Sequence, residues 1–266
     1  ASTSGFTNPL GEINKGWHEV FMNASMESFL VGYDDPRISK YFTPAAGGSE
    51  GALFNIAGTY KGVRQGTGVT HNKYKDHSPS TVAQNTDAIL LTAAEVWFLR
   101  AEAALRGYIS GDAGEYYKKG VETSFAQWGA GSAAEYLESE KTPADYKDAF
   151  DAKFDAKAES TVTPKWDNAL SNEQKLEKII TQKWLAIYPE GCEAWTEQRR
   201  TGYPKLFKVA VNNSGGSIDT DIMIRRLFYP QALISDNPTQ YGQLTQALGG
   251  PDTGGTRLWW DTGRNF

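Results

Sequence analysis

One stretch constrains this chain more than any other: residues 171–204, SNEQKLEKIITQKWLAIYPEGCEAWTEQRRTGYP. Ser171 followed three residues later by Gln174 reads as a capping box, in which hydroxyl and amide satisfy backbone donors that a first helical turn leaves open. Leu176, Ile179, Ile180, Trp184 and Ile187 then recur at steps of three and four, which places them on one face of a helix. Pro189 and Gly191 interrupt that helix. A second helix is expected over 190–200, carrying Ala194 and Trp195 inward and stopping at Gly202 with Pro204 beyond. A pair of helices joined by a tight corner, with a basic end at Arg199-Arg200, must bury its apolar faces against further helices.

The rest of the chain supplies candidates. Helical spacing runs over 13–30 (Trp17, Val20, Phe21, Ala24, Phe29), and Asp35-Pro36 breaks the chain after it. A helix is expected over 85–106, with Leu90, Ala93, Trp97, Ala101, Ala104 and Leu105 as its stripe and Gly107 at its end. Asp112 and Glu115 open the next helix, with Tyr116, Val121 and Phe125 facing in. Shorter helices are expected at 132–138 and at 143–158, the latter capped by Thr142 with Pro143 in its first turn. A further short helix follows Asn237-Pro238, after a polar loop from Phe207 to Thr220. Small residues opposite aromatics, in helices joined by short corners, look like tetratricopeptide-type pairs, although the 34-residue consensus is absent.

Between these helices, residues 47–80 hold seven glycines, at 47, 48, 51, 58, 62, 66 and 68, and show no helical period. This is a loop-rich excursion, with short strands expected at 52–57 and 61–64. Such a long irregular stretch inside a compact chain is commonly functional.

Several stretches together resemble the SusD/RagB family of outer-membrane lipoproteins. They are YDDPRISKYF (33–42), LLTAAEVWFLRAEAALRGY (90–108), IITQKWLAIYPEGCEAWTEQRRTGYPKLF (179–207), and RRLFYP with LGGPDTGGTRLWWD between 225 and 261. They occur in the family's order. The resemblance implies a mainly α fold, with tetratricopeptide-like helix pairs in a partial superhelix, the Gly-rich excursion and minor short strands. It implies the family's C-terminal portion over 1–266: the excursion at 43–84, a helical scaffold at 85–204 and a closing loop and tail at 205–266. The family's N-terminal helical repeats and lipid-bearing cysteine are not among these residues. The resemblance further implies a binding protein, not an enzyme and without a cofactor. It would take an oligosaccharide or another nutrient at the extracellular face of the outer membrane, beside a SusC-like TonB-dependent transporter. Where the family often carries Glu after the Tyr-Pro of 229–230, this chain has Leu233; Asn237 matches.

The net charge of -5 gives no clustered basic surface for nucleic acid. One cysteine, Cys192, allows no internal disulfide, and no run of 18 apolar residues spans a membrane. The first residues, ASTSGFTNPLGE, have no basic and apolar leader pattern.

The motifs that carry chemistry divide into two readings each. Asp-Thr-Gly occurs at 252–254 and 261–263, but an aspartic dyad needs one such triplet from each of two lobes, and nine residues of a Gly-rich tail read as turns. Glu190, Glu193 and Glu197 share a helix face. A carboxylate pair serves glycoside hydrolysis; carboxylates beside Arg199-Arg200 more commonly form ion pairs. His71 and His77 lack a third ligand for a metal, and no Gly-x-Ser-x-Gly elbow or phosphate loop occurs. What remains is aromatic. Trp97, Trp184 and Trp195 lie on apolar stripes and read as core. Trp17, Tyr60, Tyr74 and Trp128 sit beside Gly, Asn, Gln, His and Lys. An aromatic face covers the C–H face of a pyranose while amides and cations bond its hydroxyls. The resemblance places the binding loops at the segment up to Trp17 and at 60–77, so the expected ligand-binding residues are Trp17, Tyr60, Arg64, Asn72 and Tyr74, with Trp17 and Tyr74 as stacking platforms. The rival readings are a glycan hydrolase and a helical-repeat scaffold for a protein partner.

Overall fold

The computed structural model describes residues 7–48, 55–68 and 71–266. Its elements run α1 (Pro9–Trp17), α2 (Ala24–Gly32), α3 (Ile38–Tyr41), α4 (His71–Tyr74), α5 (Ala93–Leu105), α6 (Ala113–Trp128), α7 (Ala134–Leu137), α8 (Asn172–Ala186), α9 (Gly191–Thr201), α10 (Gln231–Asp236) and α11 (Pro238–Leu248). Among the described residues the extended segments meet only through isolated bridges, such as Phe21 with Pro79 and Asn23 with Val63. The architecture is mainly α, as the sequence indicates.

Helix α8 stands at the centre. The capping box forms in full: Gln174 N–H donates to Ser171 Oγ, and Ser171 N–H to Gln174 Oε1 at 3.1 Å. Leu176, Ile179, Ile180 and Ile187 are buried as expected, and so are Glu177, Lys178, Gln182 and Lys183 on the other faces. α8 packs on α5 and α6, which form a helix hairpin. Those two approach closely at Gly120, where a Cβ would come within 2.7–2.9 Å of the Phe98 ring. Around this axis Phe29, Leu30, Tyr41, Phe98, Tyr117, Val121, Phe125 and Leu185 form one continuous core.

The helices differ from the sequence reading in four places. The run 13–30 is two helices. His18 ends α1 in the left-handed region (φ 51), and Asn23 caps α2 by accepting from Ser25 N–H. Between them Met22 N–H donates to Ser78 O and Met22 O accepts from Val63 N–H, so the excursion supplies the partners that break the helix. α5 starts at a Thr92 cap, leaving Leu90 and Leu91 exposed, and buries Ala94, Phe98 and Ala101 rather than the stripe through Trp97. The segment 143–158 is not a helix. Asp145, Asp148, Asp151 and Asp155 each accept from nearby backbone N–H groups, the local competition that keeps Asp out of helix interiors. Only the turn Ala152–Phe154 is helical, of the 3-10 kind. Among the described residues no strand forms where strands are expected: residues 61–64 contribute a single bridge, 55–59 are a 3-10 turn and bend, and 52–54 lie outside the described residues. The expected helix at 132–138 shortens to α7, and the one after Asn237-Pro238 is α11, capped by Asn237 on Gln240 N–H.

The 143–158 segment and the excursion are sewn together by a buried polar cluster. Asp148 Oδ2 accepts from the hydroxyls of Tyr74 (3.2 Å) and Tyr146 (3.1 Å), and Lys61 pairs with Glu27 at 2.7 Å. His77 lies inside, wholly buried between Tyr74 and Phe150, and neither ring nitrogen has a hydrogen-bond partner among the described residues. Burial, aided by the Lys61 charge and opposed by Asp148, pushes its pKa down to about 4. The unfolded chain binds a proton near pH 6.5 that the folded chain refuses until about pH 4. Stability is therefore full above pH 6.5 and falls as pH drops toward 4, by roughly 3 kcal/mol in all. Urea unfolding at pH 7 and pH 4.5 should show that loss, and His77→Leu should remove most of it. A His77→Leu variant with the parent's pH profile would place the acid sensitivity elsewhere.

Candidate ligand-binding face

α1 is held along its length by the extended segment that follows the excursion. Asn8 caps it, accepting from Leu10 N–H, while its own backbone N–H donates to Gln84 O. Asn14 Nδ2 reaches Ser80 O and Val82 O at 2.9 and 3.1 Å, and Gln84 bridges Glu12 and Lys15. Gly11 is required where the two backbones touch, since a Cβ there would sit 2.2 Å from the Ala83 carbonyl carbon. Between helix and segment lies an open groove of about 730 Å³, lined by Asn14, Lys15, His18, Ser80, Thr81, Gln84 and Asn85 among others. Trp17 occupies the last position of the helix and is 69% exposed.

A second cavity, of about 460 Å³, opens beyond Glu19, Phe21, Met22 and Asn23, which line it with Arg64, Gln65, Thr67 and Tyr74. The chain thus runs from Trp17 and the first groove directly into the wall of the second. Arg64 lines that cavity with its guanidinium spent on the carbonyls of Phe154, Asp155 and Lys208. Tyr74, expected as a stacking platform, is 5% exposed, with its ring on His77 and Phe150. Burial, then the nearby Asp148 charge, pushes its hydroxyl up to about 12. Tyr60 packs half-buried against the main core, and so does Trp128, edge-on to Tyr41. Asn72 lies on α4, and its side chain is outside the described residues. Of the five residues, Arg64 and Tyr74 meet at one cavity and Trp17 stands beside another.

Glu193 and Glu197 of the acidic motif, and both Asp-Thr-Gly aspartates, form ion pairs. Lys183 Nζ contacts Glu193 (2.8 Å), Glu197 (3.1 Å) and Glu95 (3.5 Å), and Arg200 joins Glu197 to Glu102. Each Asp-Thr-Gly aspartate meets one of two consecutive arginines: Asp252 pairs with Arg226, and Asp261 with Arg225. Among the described residues no group of three His, Cys, Asp or Glu stands together as a metal site.

Sequence reasoning missed a pair of tryptophans. Trp184 and Trp195, taken as core, are only half-buried, and both line a cavity of about 460 Å³ against the chain from Leu206 to Ile224. On α9 the buried positions are Glu197, Gln198 and Thr201. The signal was present in the sequence: Trp195 is the one large apolar residue on an otherwise polar helix.

The family description "SusD-like: SusD and RagB outer membrane lipoprotein" matches residues 1–261. A SusD homologue from Bacteroides vulgatus is 52% identical over all of this chain, with a TM-score of 0.89. A chitin-binding SusD homologue from Flavobacterium johnsoniae is 41% identical over 98% of it, with a TM-score of 0.87. A SusD homologue from Bacteroides thetaiotaomicron is 34% identical over 97%, with a TM-score of 0.88. The chain spans 54, 54 and 55% of those three chains respectively. No curated protein matches it.

Proposed function

The chain belongs to the SusD-like family of outer membrane lipoproteins, and from that footing we propose that it is part of a glycan-binding protein that acts at the extracellular face of the outer membrane. The same reading gives it a TonB-dependent transporter as the partner that receives its ligand. The likeness to a chitin-binding homologue supports an oligosaccharide as that ligand. The observation that carries the reading within this chain is Trp17. It is a large indole left 69% exposed on a helix clamped along its length, next to a groove of amides, hydroxyls and a lysine. Burial would have been the default for such a ring. A rigidly mounted aromatic with hydrogen-bonding neighbours is the arrangement that stacks on a sugar. The hydrolase reading gains nothing from the structure, because Glu193 and Glu197, two of the three carboxylates that suggested it, are paired with Lys183 and Arg200.

Calorimetry of the complete protein with chitooligosaccharides tests this reading. Trp17→Ala should weaken binding on the order of tenfold, the loss of one aromatic contact worth about 1.4 kcal/mol. Its melting temperature should stay at the parent's value, since the ring contributes little to the core. Unaltered affinity in Trp17→Ala would move the site elsewhere. Absence of binding to chitooligosaccharides and to a wider glycan panel would remove the glycan reading itself.

A further inference from the structure

The Trp184–Trp195 cavity shares no lining residue with the groove beside Trp17 and has its own chemistry. Its indoles are fixed in place: Trp195 Nε1 donates to Ile224 O at 2.9 Å with Arg199 stacked 4.3 Å from the ring, and Trp184 meets Phe29 edge-on. Leu206, Val211, Met223 and Ile224 continue the apolar wall. Within it Gln198 is 9% exposed and underused. Its Nε2 meets only the Met223 sulfur at 3.5 Å, a weak acceptor, and its Oε1 accepts nothing among the described residues. Buried amides are normally bonded on both atoms.

Of the other polar groups of the wall, Gln65 and Asn213 lie exposed at its mouth, and those further in are bonded. Asn212 is bonded to Ile218 O, Thr220 Oγ1 and Ser214 N–H. Asp219 sits at the exposed rim with Oδ1 held by two backbone N–H groups. An ionic ligand would be stripped of water here without a counter-charge, and a saccharide would leave most hydroxyls unbonded inside. An aromatic ring with one polar substituent loses neither.

We propose that this cavity binds an uncharged aromatic ligand bearing a single hydroxyl or amide, its ring against the Trp184 and Trp195 indoles and its polar group on the Gln198 amide. The volume of about 460 Å³ falls within the usual range of small-molecule sites, about 300–1,000 Å³. The site stands or falls independently of glycan binding at Trp17.

Titration of the complete protein with 4-ethylphenol, followed by tryptophan fluorescence and calorimetry, tests the proposal. Saturable one-to-one binding is expected. Gln198→Met, which keeps the side-chain length, should weaken it about fivefold. Val211→Trp, at the exposed rim, should block it, while chitooligosaccharide affinity is unchanged in both. Melting curves establish that each variant is folded, and Gln198→Met carries the test if Val211→Trp is not. No saturable binding by the parent, or parent-like affinity in folded Gln198→Met, overturns the proposal. So does methyl β-glucopyranoside binding that Val211→Trp blocks, because the site would then be a saccharide site.

Discussion

Arg37→Met is expected to cost about 3–5 kcal/mol of folding stability, the usual loss when one partner of a buried ion pair is removed. Arg37 and Asp35 are both wholly buried, and their side chains meet at 2.5 Å. Arg37 Nε donates to Asp35 Oδ1 at 2.9 Å, Nη1 to Ser124 Oγ and Nη2 to Gln182 Oε1, both at 2.9 Å. The guanidinium also lies 5.0 Å from the Phe125 ring centroid and 5.6 Å from that of Tyr136. One side chain thus ties the loop after α2 to α6, α7 and α8. Methionine fills much of the volume but leaves the Asp35 carboxylate buried beside apolar groups. Urea denaturation gives the loss directly. The double variant Arg37→Met/Asp35→Leu should recover part of it, because no charge is then stranded. A single variant within about 1 kcal/mol of the parent would mean that Asp35 rehydrates freely. It would also mean that the core does not depend on the pair.

That pair shows where reading the sequence stopped. Asp35-Pro36 announced a break in the chain, and the break is there. Nothing local announced that Asp35 and Arg37, a short acidic and basic pair in a turn, would lie at the centre of the protein. Charged residues are almost never fully buried unless paired and bonded, and their partners Ser124, Tyr136 and Gln182 are far away in the chain. The same blindness rotated α5. Glu95 and Glu102 face the interior because Lys183 and Arg200 await them there, so the inward face passes through Phe98 rather than Trp97. Where apolar spacing and caps decided the outcome, in α8 and at Asp112, the sequence was sufficient. Where long-range ion pairs or clustered aspartates decided it, the apolar pattern pointed to the wrong face or the wrong element.

The candidate site was less legible than the fold for a related reason. Exposure of a single aromatic depends on what packs beside it, and that is settled in three dimensions. Trp17 and Tyr74 have similar neighbours in sequence. One ends a helix that points it outward; the other is enclosed by Phe150 from a segment that its aspartates keep from being helical. Trp195 is the converse case, an indole on a helix whose buried face is polar. An apolar residue on such a helix is free to line a cavity.

Lys183→Met should show the second large effect, again about 3–5 kcal/mol at neutral pH, and it should depend on pH. Lys183 is 1% exposed at the meeting of α5, α8 and α9. Burial works against its charge, but Glu197 and Glu193 more than compensate and raise its pKa. Burial also raises the pKa of Glu95, which Lys183 partly restrains while Glu193 and Glu197 push it further up. Without the ammonium, the buried Glu95 and Glu197 and the half-buried Glu193 crowd one place, with Arg200 left on Glu197. Protonating Glu95, whose pKa burial already raises, relieves part of the repulsion, so the deficit should shrink as pH falls from 7.5 toward 5. Urea unfolding of parent and variant at both values measures it. An equal deficit at both would assign the loss to packing of the lysine stem rather than to charge. The same contacts are why this face of α9 reads as scaffold: Glu193 and Glu197 are engaged with Lys183 of α8, and Glu197 also with Arg200.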